Sequence, residues 1–154
     1  MESIIFNQIE FSRKRTLDVV SPVSEQHADI VPKGFNNSIR WNLGHILTIQ
    51  ERLAFELIRE QPDLDANLMG FFMKDTKPSD WQSAPPDLPT LFELLKEQPR
   101  RLQQRLQGRL AEPLVTPFRG VTRLDELLIL TIGHEGLHTG YIMAQKRAVA
   151  AQVQ

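Results

Sequence analysis

Four stretches of this chain place apolar residues at intervals of three and four, and groups of proline and glycine separate them. That spacing gathers the apolar side chains into one stripe of an α-helix, and such a stripe must be buried against another element. The first stretch, residues 2 to about 20, carries Ile5, Ile9, Leu17 and Val20 and stops before Pro22. The second opens at Asn37 or Ser38, either of which can cap free N–H groups, and runs through Ile39, Leu43, Ile46, Leu47, Leu53, Ala54 and Leu57 to about Arg59. The third begins near Pro89, where Thr90 and Glu93 are spaced as a capping box, and holds Leu91, Leu94, Leu95, Leu102, Leu106 and Leu110, with Pro99 inside it. The fourth, capped by Thr122 with Asp125 three residues on, runs from about Arg123 to Ala148. No alternating β-branched run and no Asn-Gly hairpin is evident. The expected fold class is all-α, a four-helix bundle in a single domain over residues 1–150, with residues 151–154 a frayed tail.

The connections are unequal. Residues 22–37 read as loop, with two prolines, Gly34 and Asn36-Asn37. Residues 61–88 carry Pro62, Pro78 and Pro85-Pro86, yet also Leu68, Met69, Phe71, Phe72 and Trp81. A connection this long is uncommon in a compact domain, and this one is too apolar to be a floppy linker. It is expected to be a structured crossover along the bundle, with a short helical turn near Leu64 to Met69.

Composition narrows the chemistry. The chain has no cysteine, which removes disulfides, thiolate zinc ligands and cysteine nucleophiles together. A net charge of −1 gives no general attraction to nucleic acid or anionic membrane. Arg100, Arg101, Arg105 and Arg109 form a basic stripe, but Glu93, Glu97 and Glu112 offset it. The segment Met1-Glu2-Ser3-Ile4-Ile5-Phe6 lacks the marks of a signal peptide, and no apolar run approaches the roughly 20 residues of a membrane span. The expectation is a soluble cytoplasmic protein without nucleic-acid or membrane partners.

Two of the four histidines, His134 and His138, lie one turn apart in the fourth helix, about 40° apart around its axis and about 6 Å along it. They share a stripe with Leu127, Thr131 and Tyr141. Two buried imidazoles on one apolar face call for a shared partner. Without thiolates, a transition metal takes about three imidazole or carboxylate ligands. His45, in the first turns of the second helix, faces the fourth in any compact bundle, which suggests a His45, His134, His138 triad. His27, in a proline-bounded loop, is the remaining histidine, expected to be exposed and weighed only as a fourth ligand. The same stretch spells His-Glu-x-x-His, the zincin protease motif. Zincins take their third ligand from downstream, and residues 139–154 contain no Asp, Glu or His, so a zincin is not expected.

Glu135 and Tyr141 are the candidate catalytic groups. Glu135 is placed to support a ligand or take a proton from bound water, or to sit at a helix–helix boundary; Tyr141 is placed to donate to a metal-bound ligand, or to pack in the core. Asn42, one turn before His45, is placed to hold an imidazole N–H. Arg40 and Arg52 flank His45 as solvated charges or as contacts for an anionic substrate. Trp41 and Trp81 are expected to plug the bundle ends or the crossover.

Trp41-Asn-Leu-Gly-His45, Lys74-Asp-Thr-Lys-Pro-Ser-Asp-Trp81 followed by Pro85-Pro86, and His134-Glu-x-Leu-His138-x-Gly140, taken in this order and spacing, resemble the DinB/YfiT-like superfamily. The resemblance runs from the first helix to about Arg147. It implies a bundle in up-down-down-up order with the long crossover between its second and third helices. It also implies a divalent metal, often nickel or zinc, held by His45, His134 and His138, and a homodimer; the histidine donor set by itself also admits iron. Characterised relatives are similar to thiol-dependent transferases and isomerases; others carry a hydrolase label. Many relatives have Gln where this chain has Tyr141. The implied reading is a metal-dependent enzyme acting on a small molecule, with a low-molecular-weight thiol as co-substrate. A metal-stabilised module without catalysis and a metal-dependent hydrolase are the alternatives.

Overall fold

The computed structural model describes residues 1–153. Four long helices make up most of it: α1 (Glu2–Val20), α3 (Ile39–Glu56), α5 (Leu88–Leu106) and α6 (Leu124–Gln152). α1 and α3 each pack against both α5 and α6, which closes the four into a ring around a shared core. Two short helices, α2 (Glu25–Ala28) and α4 (Ala66–Gly70), lie in the connections, with a 3-10 turn at Pro78–Asp80. The turn at Ala66–Gly70 matches the one expected in the crossover. α2 was expected to be loop; Ser24 caps it by accepting from the His27 amide, which lets one turn form between the flanking prolines.

Ser38, one of the two expected caps, closes α3 by accepting from the Trp41 amide. Two other caps differ from expectation. α5 starts one residue early because Asp87 accepts from the Thr90 amide at 2.9 Å. At α6 the Glu126 carboxylate accepts from the amides of Thr122 and Arg123, so the reciprocal pair is Arg123 and Glu126 rather than Thr122 and Asp125. α3 stops at Glu56, and Arg59 is left-handed at φ 62°. α6 stays helical to Gln152, past the tail boundary expected; Gln154 lies outside the described residues.

A hairpin corrects the expectation of no strands. β1 (Pro113–Phe118) pairs antiparallel with β2 (Val121–Arg123), Phe118 opposite Val121. The two-residue turn between them is Arg119-Gly120, both at positive φ (50° and 88°), the backbone that tight hairpins need. Arginine at the first turn position hid the signal. So did Pro113 and Pro117, which are tolerated because a two-stranded ribbon has edges free of pairing. The hairpin packs on α6, and the Val115 amide donates to the Leu57 carbonyl at 2.9 Å, which ends α3 against it.

The apolar core is split in two. One cluster gathers Val20, Leu43, Ile46, Leu47, Phe72, Leu91, Leu95 and Ile142; the other gathers Ile5, Ile9, Ala54, Phe55, Leu102, Leu106, Leu124, Leu127 and Leu128. Between them each long helix turns polar on its buried face: Arg13 and Thr16, Thr48 and Glu51, Gln98, then Thr131, Glu135 and Thr139. Apart from the Thr48 hydroxyl, which has no partner among the described residues, the cost of burying this polar layer is offset by hydrogen bonds. Arg13 donates to both oxygens of Glu135 and to Gln98, and Gln98 donates to Glu51, which also accepts from Arg101. The basic stripe of α5 continues this layer outward: Arg101 and Arg105 pair with Asp63, Arg105 and Arg109 with Glu60. Its charges are taken up within the fold.

Candidate metal centre

α3 and α6 cross with His45 on one and His134 and His138 on the other. One ring nitrogen from each histidine lies within 4.8 Å of those of the other two. The ring centroids are 4.5 Å apart for His134 and His138, 4.8 Å for His45 and His138, and 5.3 Å for His45 and His134. His45 is buried, and the α6 pair is half-buried. His27 is not in this group.

Which nitrogen faces the centre follows from what holds the other. Nδ1 of His45 is 2.7 Å from the carbonyl oxygen of Phe72, and a carbonyl only accepts, so Nδ1 carries the proton and Nε2 keeps a free lone pair. Nδ1 of His138 is 2.7 Å from Oδ1 of Asn42, with the same consequence. Asn42 thus holds an imidazole N–H, as its spacing suggested, but the imidazole is that of His138. His134 has no such partner among the described residues; its ring is set by packing against the other two. Burial pushes all three histidines below their ordinary range, His134 to about 4 and His138 to about 3, the latter two also disfavoured by the neighbouring imidazoles. The three are therefore neutral near pH 7, the form that ligates a metal.

The crossover forms one wall of the centre, and one glycine admits it. A Cβ on Gly44 would lie 2.3 Å from ring atoms of Phe72, so only glycine lets that ring settle on α3. The docked Phe72 brings its carbonyl to His45. Trp41, one turn before His45, stacks on the imidazole with centroids 4.5 Å apart and planes 14° apart, while its Nε1 donates to Thr76 of the crossover at 2.9 Å. Trp81 donates to the Phe71 carbonyl and packs edge-on against Phe71 and Phe72. Trp41 thus fastens the crossover to α3, and Trp81 braces the crossover internally.

Among the described residues the two catalytic candidates take partners other than the three histidines. Glu135 is buried among α1 side chains: Oε1 accepts from Nε of Arg13 at 2.9 Å and from Thr16 at 2.8 Å, and Oε2 from Nη2 of Arg13 at 3.3 Å. Tyr141 is exposed rather than core and meets Phe35 edge-on, ring centroids 5.1 Å apart. Arg40 is not a solvated charge. It is buried and donates to Asp29, Glu25 and the Pro86 carbonyl, tying the start of α3 to α2 and to the last residues of the crossover. Arg52 pairs with Glu56 on its own helix.

Sequence reasoning missed Phe72, whose contribution is a backbone oxygen, and Gln145, Gly44 and Arg13. Gln145, seven residues after His138 and so on the same helical face, had a readable spacing; Arg13 had no signal in its own neighbourhood.

Three comparisons with known proteins bear on this arrangement. The sequence model described as the DinB superfamily matches residues 8–142. No functionally curated protein matches the chain. Among solved structures, a conserved protein from Enterococcus faecalis superposes with a TM-score of 0.71 at 14% identity, covering 98% of this chain and 98% of that one, a likeness of fold.

Proposed function

The chain belongs to the DinB superfamily, and on that premise we propose that it is a metal-dependent enzyme acting on a small molecule, with His45, His134 and His138 holding one divalent ion. The observation that carries the reading is the convergence of three neutral imidazoles, two with Nδ1 committed to an acceptor so that Nε2 is free. A donor set of nitrogen alone fits zinc, nickel or iron, and leaves coordination positions for water or substrate. When bound, such an ion supplies Lewis acidity and lowers the pKa of a coordinated water or thiol.

The chain's own residues do the rest. Phe72 and Asn42 orient two of the ligands, and Trp41 shields one face of His45 from water. Tyr141, three residues past His138 and exposed, is placed at the rim, where its hydroxyl can pass a proton to or from a substrate group. Glu135 anchors α6 to α1 through Arg13 in this reading and takes no part in the chemistry. We also read the four long helices as up-down-down-up. In support, α1 and α6 begin in the Ile5–Leu128 cluster and end in the Val20–Ile142 cluster, while α3 and α5 run the other way. That order sets the start of α3 beside the middle of α6, where the histidines meet.

A group-transfer reaction with a low-molecular-weight thiol is favoured over hydrolysis on the resemblance of the motifs, and the chain contributes no thiol of its own. Elemental analysis of gently purified protein tests the metal: about one ion per chain is expected, falling to a trace in His138→Ala with the helical circular-dichroism signal unchanged. Metal-free wild-type protein that does not take up zinc, nickel or iron at micromolar concentration would overturn the reading. Thiol consumption in the presence of an alkylating probe then separates transfer from hydrolysis, in which water alone suffices, and from a metal-stabilised module, which turns over neither.

A further inference from the structure

Behind His138 the bonding does not stop at Asn42. The Nδ2 of Asn42 donates to the Ser38 carbonyl at 2.9 Å and to Oε1 of Gln145 at 3.1 Å. Nε2 of Gln145 in turn donates to the Asn37 carbonyl. Asn42 and Gln145 are both buried, at 1% and 0% exposure, so neither has water as a substitute partner.

The direction of this relay is dictated by its ends. An amide side chain is ambiguous, since its oxygen and nitrogen are nearly the same size and either can face a neighbour. Backbone carbonyls are not ambiguous, because they only accept. The Asn37 carbonyl therefore requires the NH2 of Gln145 and leaves Oε1 facing Asn42. The Ser38 carbonyl and that Oε1 together claim both N–H groups of Asn42 and turn Oδ1 toward the imidazole. Oδ1 then requires a proton on Nδ1 of His138. An inverted Asn42 amide would present N–H to Nδ1, the proton would move to Nε2, and the lone pair facing His45 and His134 would be lost.

We infer that Gln145 is a positioning residue for the metal centre: acting through Asn42, it fixes the tautomer and ring orientation of His138 so that Nε2 is the free nitrogen. The inference rests on the metal-binding reading for its purpose but not for its geometry. Gln145 makes no contact with the ligand nitrogens, so its effect is carried by one hydrogen-bond chain. Outer partners of this kind tune metal affinity by roughly 10–100-fold.

The test reads the imidazole directly. Nitrogen-15 spectra of the histidine rings in metal-free protein report which nitrogen is protonated. Wild-type protein is expected to show His138 in the Nδ1–H form. Gln145→Met, which matches the side-chain length and removes the acceptor, is expected to give a mixture of the two forms and about a tenfold weaker zinc affinity. Adding Asn42→Asp to Gln145→Met restores the Nδ1–H form, because either carboxylate oxygen accepts and the orientation no longer matters. Gln145→Glu keeps an acceptor for Asn42 and is expected to retain the Nδ1–H form, an independent reading should Gln145→Met not fold. Pure Nδ1–H in Gln145→Met, or a switch to Nε2–H in Gln145→Glu, overturns the inference. Failure of the metal-binding reading is distinguishable: wild-type protein would then show the expected tautomer and still take up no zinc.

Discussion

Nη1 of Arg13 lies 2.6 Å from the carbonyl oxygen of Leu95. Four residues on from Leu95 is Pro99, which has no amide hydrogen, so that carbonyl has lost its donor within α5. The gap that Pro99 leaves in the hydrogen bonding of α5 is where α1 bonds to it, and α5 stays helical through it to Leu106. The same guanidinium pairs with Glu135, so one side chain joins the backbone of α5 to the carboxylate of α6.

This bonding makes residues 13, 99 and 135 a coupled set. Glu135→Ala is expected to cost roughly 3–5 kcal/mol, since it leaves a buried arginine without its charge partner. Arg13→Met with Glu135→Leu is expected to be milder, destabilised by roughly 1–3 kcal/mol, because the desolvation penalty disappears with both charges while the Leu95 carbonyl and Gln98 lose their donor. Pro99→Ala stabilises that double variant more than it stabilises the wild type, where the new amide hydrogen competes with Arg13 for Leu95. Urea unfolding of the set measures the coupling, and strictly additive effects would refute it.

Gly44→Ala is expected to displace Phe72 and with it the acceptor on His45. A methyl group 2.3 Å from the ring cannot be absorbed without moving the crossover, and overpacking of this kind costs about 1–3 kcal/mol. The reading is a lower unfolding midpoint together with weaker zinc binding in a chelator competition. Loss of stability with undiminished affinity would show that the crossover does not set His45.

Stability of the metal-free protein is expected to fall as pH drops below about 6.5, the ordinary histidine value. Above that pH the three histidines are neutral in both folded and unfolded chains and contribute no slope. Below it the unfolded chain takes up protons that the folded one refuses, down to about 4 for His134 and about 3 for His138. The comparison that isolates this term is the urea midpoint of wild type against His134→Gln with His138→Gln across about pH 7.5 to 4.5, a range chosen above most carboxylate titration. The variant is expected to be flatter, and parallel profiles would contradict the assignment.

Tyr141→Phe is expected to leave both stability and metal content nearly untouched. The ring's edge-on contact with Phe35 survives, and an exposed substitution of this kind changes stability by less than about 0.5 kcal/mol. If the hydroxyl moves a proton, turnover in the thiol-consumption assay falls by about 100-fold or more at equal metal loading. Unchanged turnover would remove Tyr141 from the chemistry.

The sequence was most legible where periodicity and short-range spacing carry the information. The four long helices follow from apolar intervals, and the triad from one i, i+4 pair plus the one other histidine facing it; Asn42 is placed near the site by its spacing to His45, but the imidazole it meets is on α6. What stayed hidden depends on partners distant in the chain or lacking a residue signature. Glu135 is next to His134 in the chain, but the partner of both its oxygens, Arg13, is 122 positions away. Arg40 reads as a surface charge until Asp29 and Glu25 fold over it. The acceptor on His45 is a main-chain oxygen, which no residue identity announces. The hairpin carries Arg-Gly where a tight turn more often shows Asn-Gly, and prolines in its first strand.

α6 separates its duties by angle. One face carries Glu135 and Thr139 into the bonded layer against α1; another, about 100° around, carries His134 and His138 toward α3, with Tyr141 on the same face where it reaches solvent; Leu137 stands outside both. The consequence is a division of labour. Substitutions at the exposed positions leave the buried bonds from Glu135 and Thr139 to α1 intact, so the rotation of α6 that turns His134 and His138 toward His45 is insulated from its surface.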